Sequence, residues 1–344
     1  MKISLDATYQ LDRNPSGVSV YSGEILYGLA TAHSEAEFLF CYRPHRFLRS
    51  FSGSLPANCR RRLLWNDWPR AADLFHGLNQ RIDSAGHRRT VSTFHDLFVM
   101  SGDYSTPEFR RKFATQARIA AERSDLIIAV SSFTAGQVQD LLKVEPARIR
   151  VIPHGARRAP ASAAPVTREH MILFVGALQR RKNIVRLVEA FEQTAPGWKL
   201  ALAGSLGFGA QEALDRIEAS PRRADIQALG YVSGAMLEDL YRRASIFAFP
   251  SLDEGFGMPV LDAMSRGVPV LTSNVSALPE VSGDAARLVD PTDAAAIAEG
   301  LRELIENQAL RQELIGKGLA RSREFTWEKA VEGTWKVYQE LLNG

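Results

Sequence analysis

The sequence predicts an α/β fold of two doubly wound, Rossmann-like domains, and three observations predict it. Short apolar runs without alternation, at residues 126–130, 171–175 and 245–249 among others, read as buried parallel strands. Turns carrying glycine or proline follow such runs and lead into amphipathic helices, the punctuation of βα units. A stretch poor in large apolar residues and rich in alanine and proline, residues 157–166, separates two such series and reads as an interdomain linker. The chain of 344 residues is long enough for two domains of ordinary size.

The first series opens with a strand at residues 2–6 and a turn at Asn14-Pro15-Ser16-Gly17. A helix follows at 18–32, with Val20, Ile25, Leu26 and Leu29 inward. Strands are expected at 38–42, 74–76, 91–94, 126–130 and 149–152. Helices are expected at 106–123 and 133–142, the latter capped by Ser131 and Ser132. Residues 43–70 interleave Arg43, Arg46, Arg49, Arg60, Arg61, Arg62 and Arg70 with Phe47, Phe51, Trp65 and Trp68. Two readings stand. The stretch is a docking surface for a membrane interface or an anionic acceptor, or residues 60–65 are a strand with arginines at its exposed start. Nucleic acid is disfavoured, since no recognition motif is present.

The second series has strands at 171–175, 200–203, 245–249, 268–271 and 286–289, and a terminal helix at 326–342. After 171–175 come Gln179-Arg180-Arg181-Lys182-Asn183 and then a helix. Three consecutive cations at a strand end and helix start form a phosphate clamp by charge and by dipole. Residues 249–267, FPSLDEGFGMPVLDAMSRG, have the same design. Pro250 and Ser251 end a strand. Gly255 and Gly257 shape an acidic turn, Pro259 suits a first helical turn, and Gly267 stops the helix. Unpaired N–H groups at such a helix start favour phosphate. Helical side chains lean toward the N-terminus, so Asp262 points toward that site, and Glu254 sits just outside it. Carboxylates accept from hydroxyls rather than bind phosphate. The ligand expected is therefore rich in both.

This pattern, Glu254-Gly-Phe-Gly-Met-Pro-Val-Leu-Asp262-Ala-Met264, resembles the E-x7-E region of retaining glycosyltransferases of the GT4 family, and the likeness extends over nearly the whole chain. The resemblance implies the GT-B fold, with two Rossmann-like domains facing a cleft and a C-terminal helix returning to the first domain. The divisions are 1–158 on the acceptor side, 159–325 on the nucleotide-sugar donor side, and 326–344 for the returning helix. The resemblance assigns catalytic positions to His95, in the phrase STFHDL, to Lys182 and to Glu254. It sets Gly17, Arg181, Gly255, Phe256, Gly257, Met258, Asp262, Tyr231 and Val232 against the substrate. Asp262 would hold ribose, Tyr231 and Val232 would lie near the nucleobase, and Asp96 could orient the His95 ring. The family usually has Glu at the second acidic position; Asp shortens the arm by roughly 1.5 Å. An Arg found in many members before the Lys is replaced by Ala177, and Arg181 takes its place.

The implied reaction is transfer of a hexose from a nucleotide diphosphate sugar to a glycan or lipid-linked acceptor, with no metal and no cofactor. Likeness of the HDL and SGVSVY phrases to bacterial mannosyltransferases points to GDP-mannose, with UDP-sugars open. The rivals are a GT-B-like sugar-nucleotide epimerase and a non-catalytic nucleotide-sugar binding protein. A dehydrogenase is disfavoured because Gly204, Gly207 and Gly209 do not make the dinucleotide fingerprint.

Composition fits a cytoplasmic enzyme, with peripheral contact at the inner face of the membrane. Hydrophobic residues make up 45% and charged residues 24%, Cys41 and Cys59 match no metal or redox spacing, and no leader or spanning stretch is read. The net charge of +3 divides into +7 for residues 1–158 and −4 for the rest, so an anionic partner is expected on the first half.

Overall fold

The computed structural model describes residues 1–12, 15–65, 72–82, 87–157 and 167–343. Asn14, Trp68, Arg70 and the linker beyond Arg157, with the expected boundary at 158/159, lie outside the described residues. The chain divides into two compact units. One comprises Met1–Gly155 with Thr326–Gly344, and the other Ala156–Phe325.

The first unit is built on a seven-stranded sheet of β1 (Lys2–Asp6), β2 (Glu37–Tyr42), β3 (Cys59–Leu63), β4 (Leu74–Gly77), β5 (Thr90–Phe94), β6 (Leu126–Ala129) and β7 (Ile149–Val151). Its order is β3-β2-β1-β4-β5-β6-β7, and every pairing is parallel. The second unit holds β8 (Glu169–Val175), β9 (Lys199–Ala203), β10 (Ile226–Gly230), β11 (Ala244–Phe249), β12 (Val270–Ser273) and β13 (Ala286–Val289). Its order is β10-β9-β8-β11-β12-β13, again parallel throughout. Parallel strands are covered on both faces, which is why β4, β5, β6 and β12 are buried end to end; apart from His76 on β4 they carry only apolar residues, Ser, Thr and Gly. The edge strands β3, β7, β10 and β13 are less completely buried, and on β3 Arg60, Arg61 and Arg62 stand with their heads near solvent.

The order within each sheet reverses once, between β1 and β4 and between β8 and β11. In doubly wound sheets the crevice at the carboxyl ends of such a strand pair is where ligands bind. In the second unit that crevice is flanked by the turn after β8, which carries Arg180, Arg181 and Lys182, and the turn after β11, which carries Glu254 to Gly257.

Helices follow local signals. Ser16 caps the Gly17–Ala32 helix in a reciprocal box with Ser19. Thr106 and Ser131 cap Pro107–Arg123 and Ser132–Leu142 through their side chains. Val20 departs from expectation: it is half-buried, whereas Ile25, Leu26 and Leu29 are buried on the same helix. The final helix, Trp327–Asn343, belongs to the first unit. There Trp335 stacks on His33 with centroids 3.7 Å apart, and Val331 lies so close to Gly28 that a Cβ there would meet it at 2.4 Å.

Much of the basic, aromatic stretch is structural. Arg43 is buried on Asp6 at 3.0 Å, Arg46 pairs with Asp12 at 2.8 Å, Arg60 lies 3.3 Å from Glu37, and Arg61 donates to the Ser50 carbonyl at 2.9 Å. Leu48, Phe51 and Trp65 remain exposed. Among the described residues no helix is long and apolar enough to cross a membrane. Cys41 and Cys59 are buried free thiols.

Candidate active site

The turn after β8 is a short 3-10 segment, Arg180–Lys182, closed by Asn183 in the left-handed conformation at φ 62°. Asn tolerates that conformation better than most residues. Its side chain donates to the carbonyls of Pro250 at 3.0 Å and Pro291 at 2.6 Å. The Leu252 N–H donates to the Arg181 carbonyl at 2.7 Å. The turns after β8 and β11 are thus stitched together through backbone before any charged side chain is considered.

On that platform Lys182 and Glu254 meet. Both are buried, at 6% and 7% exposure. Lys182 Nζ donates to Glu254 Oε1, and Arg181 Nη1 donates to the same oxygen at 2.7 Å and to the Asp253 carbonyl at 2.9 Å. The Lys182 ammonium also stands 4.4 Å from the centroid of the Phe249 ring, at cation–π range. Burial pushes the Glu254 carboxyl up, but the opposing pull of Arg181 and Lys182 is stronger, and the group lies below its ordinary value. The third cation, Arg180, is directed elsewhere: it pairs with Glu212 and stands over the Phe208 ring.

Gly257 caps the Met258–Ser265 helix at φ 110°, a backbone setting that L side chains rarely adopt. Gly255 and Gly257 are buried and Met258 is half-buried. Two side chains of this segment find partners inside the second unit. Phe256 is buried with its ring edge-on to Phe325, centroids 5.8 Å apart, so its side chain is core. Asp262, expected at a ribose, is 2% exposed and is taken by Arg157. The Arg157 backbone N–H donates to Oδ1 at 3.1 Å and its Nε to Oδ2 at 2.9 Å. Burial holds the Asp262 carboxyl above its ordinary value despite Arg157 and Arg266. Tyr231 and Val232 follow β10, the edge strand of the sheet, where Tyr231 is exposed and Val232 half-buried.

In the first unit, Gly17 is the exposed first residue of its helix. His95 follows β5 and is buried. Its Nε2 lies 3.0 Å from the Leu78 carbonyl and its Nδ1 3.4 Å from His154 Nε2. A carbonyl only accepts, so His95 carries its proton on Nε2, and its bare Nδ1 takes the Nε2–H of His154. The ring is thus oriented by Leu78 and His154, not by Asp96 as expected. Tyr21 stands edge-on to it at 4.7 Å. Beside this pair runs a buried polar chain: the Tyr338 hydroxyl to His76 Nδ1 at 2.6 Å, His76 Nε2 to Thr93 Oγ1 at 2.8 Å, and Thr93 Oγ1 to the Tyr21 hydroxyl at 2.8 Å. Burial drives His95 down to about 4 and His76 to about 3, and His154 well below its ordinary value, so all three are neutral near pH 7. Neither His76 nor His154 was singled out in the sequence. The sequence signal was a His within or shortly after a strand: His76 on β4, His95 directly after β5 and His154 three residues beyond β7. Among the described residues no cluster of three or more His, Cys, Asp or Glu could hold a metal ion.

Two parallel sheets of this order, with a cation–acid cluster at the switch point of the second, have the architecture of the GT-B fold, and known structures agree on it. Sucrose-phosphate synthase from Thermosynechococcus elongatus matches with a TM-score of 0.79 at 20% identity, over 100% of this chain and 99% of that one. Anabaena HepE in complex with UDP-glucose matches at 0.77 and 16% identity, over 99% and 100%. The family model for Glycosyltransferase Family 4 matches residues 25–158, and that for Glycosyl transferases group 1 matches residues 157–321. O-antigen chain mannosyltransferase B of Escherichia coli is 32% identical over 286 residues, 78% of this chain and 74% of that protein. The serotype-specific mannosyltransferase WbdA of Escherichia coli is 28% identical over 276 residues, 73% of this chain but only 34% of that longer protein. The chain belongs to the group 1, family 4 glycosyltransferases.

Proposed function

We propose that this glycosyltransferase moves mannose from GDP-mannose to a glycan or lipid-linked acceptor in cell-surface polysaccharide synthesis, with retention at the anomeric carbon. The observation that carries the proposal is the buried meeting of Lys182, Arg181 and Glu254 at the switch point of the second sheet. Likeness to a mannosyltransferase over most of both chains supports the sugar. In this reading Lys182 and Arg181 take the diphosphate, together with the helix start at Gly257, and stabilise its charge as the bond to the sugar lengthens. The two cations do the work a metal ion would do. Glu254 holds a sugar hydroxyl. The acceptor oxygen bonds to the anomeric carbon on the face the phosphate leaves, and the acceptor proton passes to the departing phosphate oxygen.

Exposed Leu48, Phe51 and Trp65, in a stretch that also carries Arg49 and Arg60, support peripheral contact of the first unit with an anionic lipid surface, read by co-sedimentation with anionic vesicles. The main test is a thermal-shift screen of GDP, UDP, ADP and dTDP with their sugars, followed by product analysis. GDP and GDP-mannose should shift the melting point, and mannose should reach a glycan acceptor with its anomeric configuration kept. Epimerised nucleotide sugar, or binding without transfer or hydrolysis, would replace this reading by one of the two rivals.

A further inference from the structure

The turn after β5 carries His95 and leads, through the short helix Phe98–Ser101, into the Pro107–Arg123 helix. The two helices are tied together at that end. Arg110 Nε donates to the Val99 carbonyl at 3.3 Å, and its Nη1 to Asp103 at 3.0 Å. Leu97, Met100 and Phe113 join Phe94 in one apolar cluster. The first turns of the longer helix therefore sit at the carboxyl end of β5, the edge at which parallel sheets bind ligands. Phe109 stands there 51% exposed, its ring beside Phe113 with centroids 6.3 Å apart. Arg111 and Lys112 follow it in sequence. Both are exposed, and neither has an acidic partner among the described residues.

We propose that Phe109, Arg111 and Lys112 form a subsite for the acceptor, a reading that rests on the proposed transfer of mannose to a saccharide. A pyranose ring of the acceptor lies on Phe109, and an acidic group of the same molecule, phosphate or carboxylate, meets the two cations. A pyranose carries hydroxyls around its rim and C–H bonds on its faces. Those C–H bonds are slightly positive and suit the negative face of an aromatic ring. Charge points the same way. Residues 1–158 carry a net +7, yet Arg43, Arg46 and Arg60 are matched by Asp6, Asp12 and Glu37. The Pro107–Arg123 helix, in contrast, exposes Arg111, Lys112, Arg118 and Arg123 against Glu108 and Glu122. A lipid surface is the competing occupant and fits less well. A helix lying in lipid shows a stripe of large apolar side chains, and Phe109 is the one such side chain that this helix exposes.

The test uses the full chain, GDP-mannose and two probes: an α-linked mannotetraose, and the same oligosaccharide with a phosphate monoester at its reducing end. Phe109→Ala should raise KM for both probes about tenfold, while affinity for GDP stays within about twofold. Phe109→Tyr should keep the wild-type KM, and Phe109→Leu should not. The wild type should prefer the phosphorylated probe, and the double variant Arg111→Gln/Lys112→Gln should lose that preference. All three side chains are exposed, so melting temperatures should hold. An unchanged acceptor KM in Phe109→Ala overturns the proposal. Loss of pelleting with anionic vesicles at unchanged KM overturns it too, and makes the helix a lipid contact. A leucine variant as good as the wild type overturns the stacking, and a wild type indifferent to the phosphate overturns the role of the cations. If the wild type transfers mannose to neither probe, the functional reading falls. Saturation-transfer difference NMR of the probes then decides the subsite by itself: it stands when the wild type binds a probe that Phe109→Ala binds more weakly, and falls otherwise.

Discussion

Lys182 and Glu254, 72 residues apart in sequence, form a buried salt bridge on a single carboxylate oxygen, and Arg181 shares that oxygen. Two positive charges are thereby held close together by one negative charge, and the cluster keeps a net positive charge for an anion. The same carboxylate competes with that anion for its cations.

Substituting Glu254 should therefore move stability and affinity in opposite directions. Glu254→Gln leaves two buried cations without their counter-charge, a loss of about 3–5 kcal/mol. A bound diphosphate replaces the missing charge. The variant should melt at a lower temperature than the wild type, show a larger upward shift with GDP, and transfer sugar more slowly. Lys182→Ala should instead weaken GDP about 10- to 100-fold, the value of one charge-assisted hydrogen bond to phosphate. Calorimetric titration of both variants checks the contrast.

The histidine cluster of the first unit should make the protein sensitive to acid. His95, His76 and His154 are held neutral by burial, and each takes up a proton once the chain unfolds below its ordinary value of 6.5. The unfolded state then binds more protons than the folded one, so stability falls as pH drops. Each buried His contributes about 1.4 kcal/mol per pH unit, fully developed well below 6.5 and ending at about 4 for His95 and about 3 for His76. Glu254 acts in the same direction lower down. Its stabilisation is complete above its ordinary value of 4.5 and is lost as pH falls through its depressed folded value. Urea unfolding at a series of pH values should show this decline, and His154→Gln should flatten it between pH 6.5 and 4 by one histidine's share.

Elements whose signal is local were legible in the sequence. The buried strands β6 and β11 were readable from apolar runs, and the cation turn from its place between a strand and a helix. The meeting of the turns after β8 and β11 followed once the sheet order was known. What escaped were partners far apart in the chain. Asp262 was legible on its helix, but its partner Arg157 is 105 residues away and at the edge of a linker. His95 and His154 are 59 residues apart, and only His95 was singled out in the sequence. Phe256 lay in a ligand-shaped motif, yet its apolar ring found Phe325. Local geometry says where a side chain starts; only tertiary packing says what occupies its other end.

Tyr338 should prove worth more than its ring. Its hydroxyl meets His76 Nδ1 at 2.6 Å inside the first unit, and His76 passes the contact on through Thr93 to Tyr21. Tyr338→Phe preserves the packing against Trp335 and leaves His76 Nδ1 without that partner. The cost expected is about 1–3 kcal/mol in denaturant unfolding, the price of a buried polar atom left unsatisfied.

Two glycines of the second unit should separate folding from binding. Gly204 lies after β9 against the turn that follows β8, and a Cβ on it would stand 1.9 Å from the Gly176 carbonyl oxygen. That obstacle is backbone, which cannot swing aside as a side chain can, so Gly204→Ala should cost at least about 3 kcal/mol, at or beyond the usual overpacking range, and recover little folded protein. Gly257 is different. A Cβ there would meet only the end of the Leu278 side chain, at 2.8 Å, and the main penalty is holding a non-glycine residue at φ 110°. That strain is about 1–2 kcal/mol, which a folded domain survives. Its relief, however, moves the first turn of the Met258–Ser265 helix, whose N–H groups are aimed at the proposed diphosphate. Gly257→Ala should therefore fold with a modestly lowered melting temperature while losing most of the GDP-induced shift. Equal loss of stability in the two variants, or an unchanged GDP shift in Gly257→Ala, would remove the helix start from the binding site and leave the anion to Lys182 and Arg181.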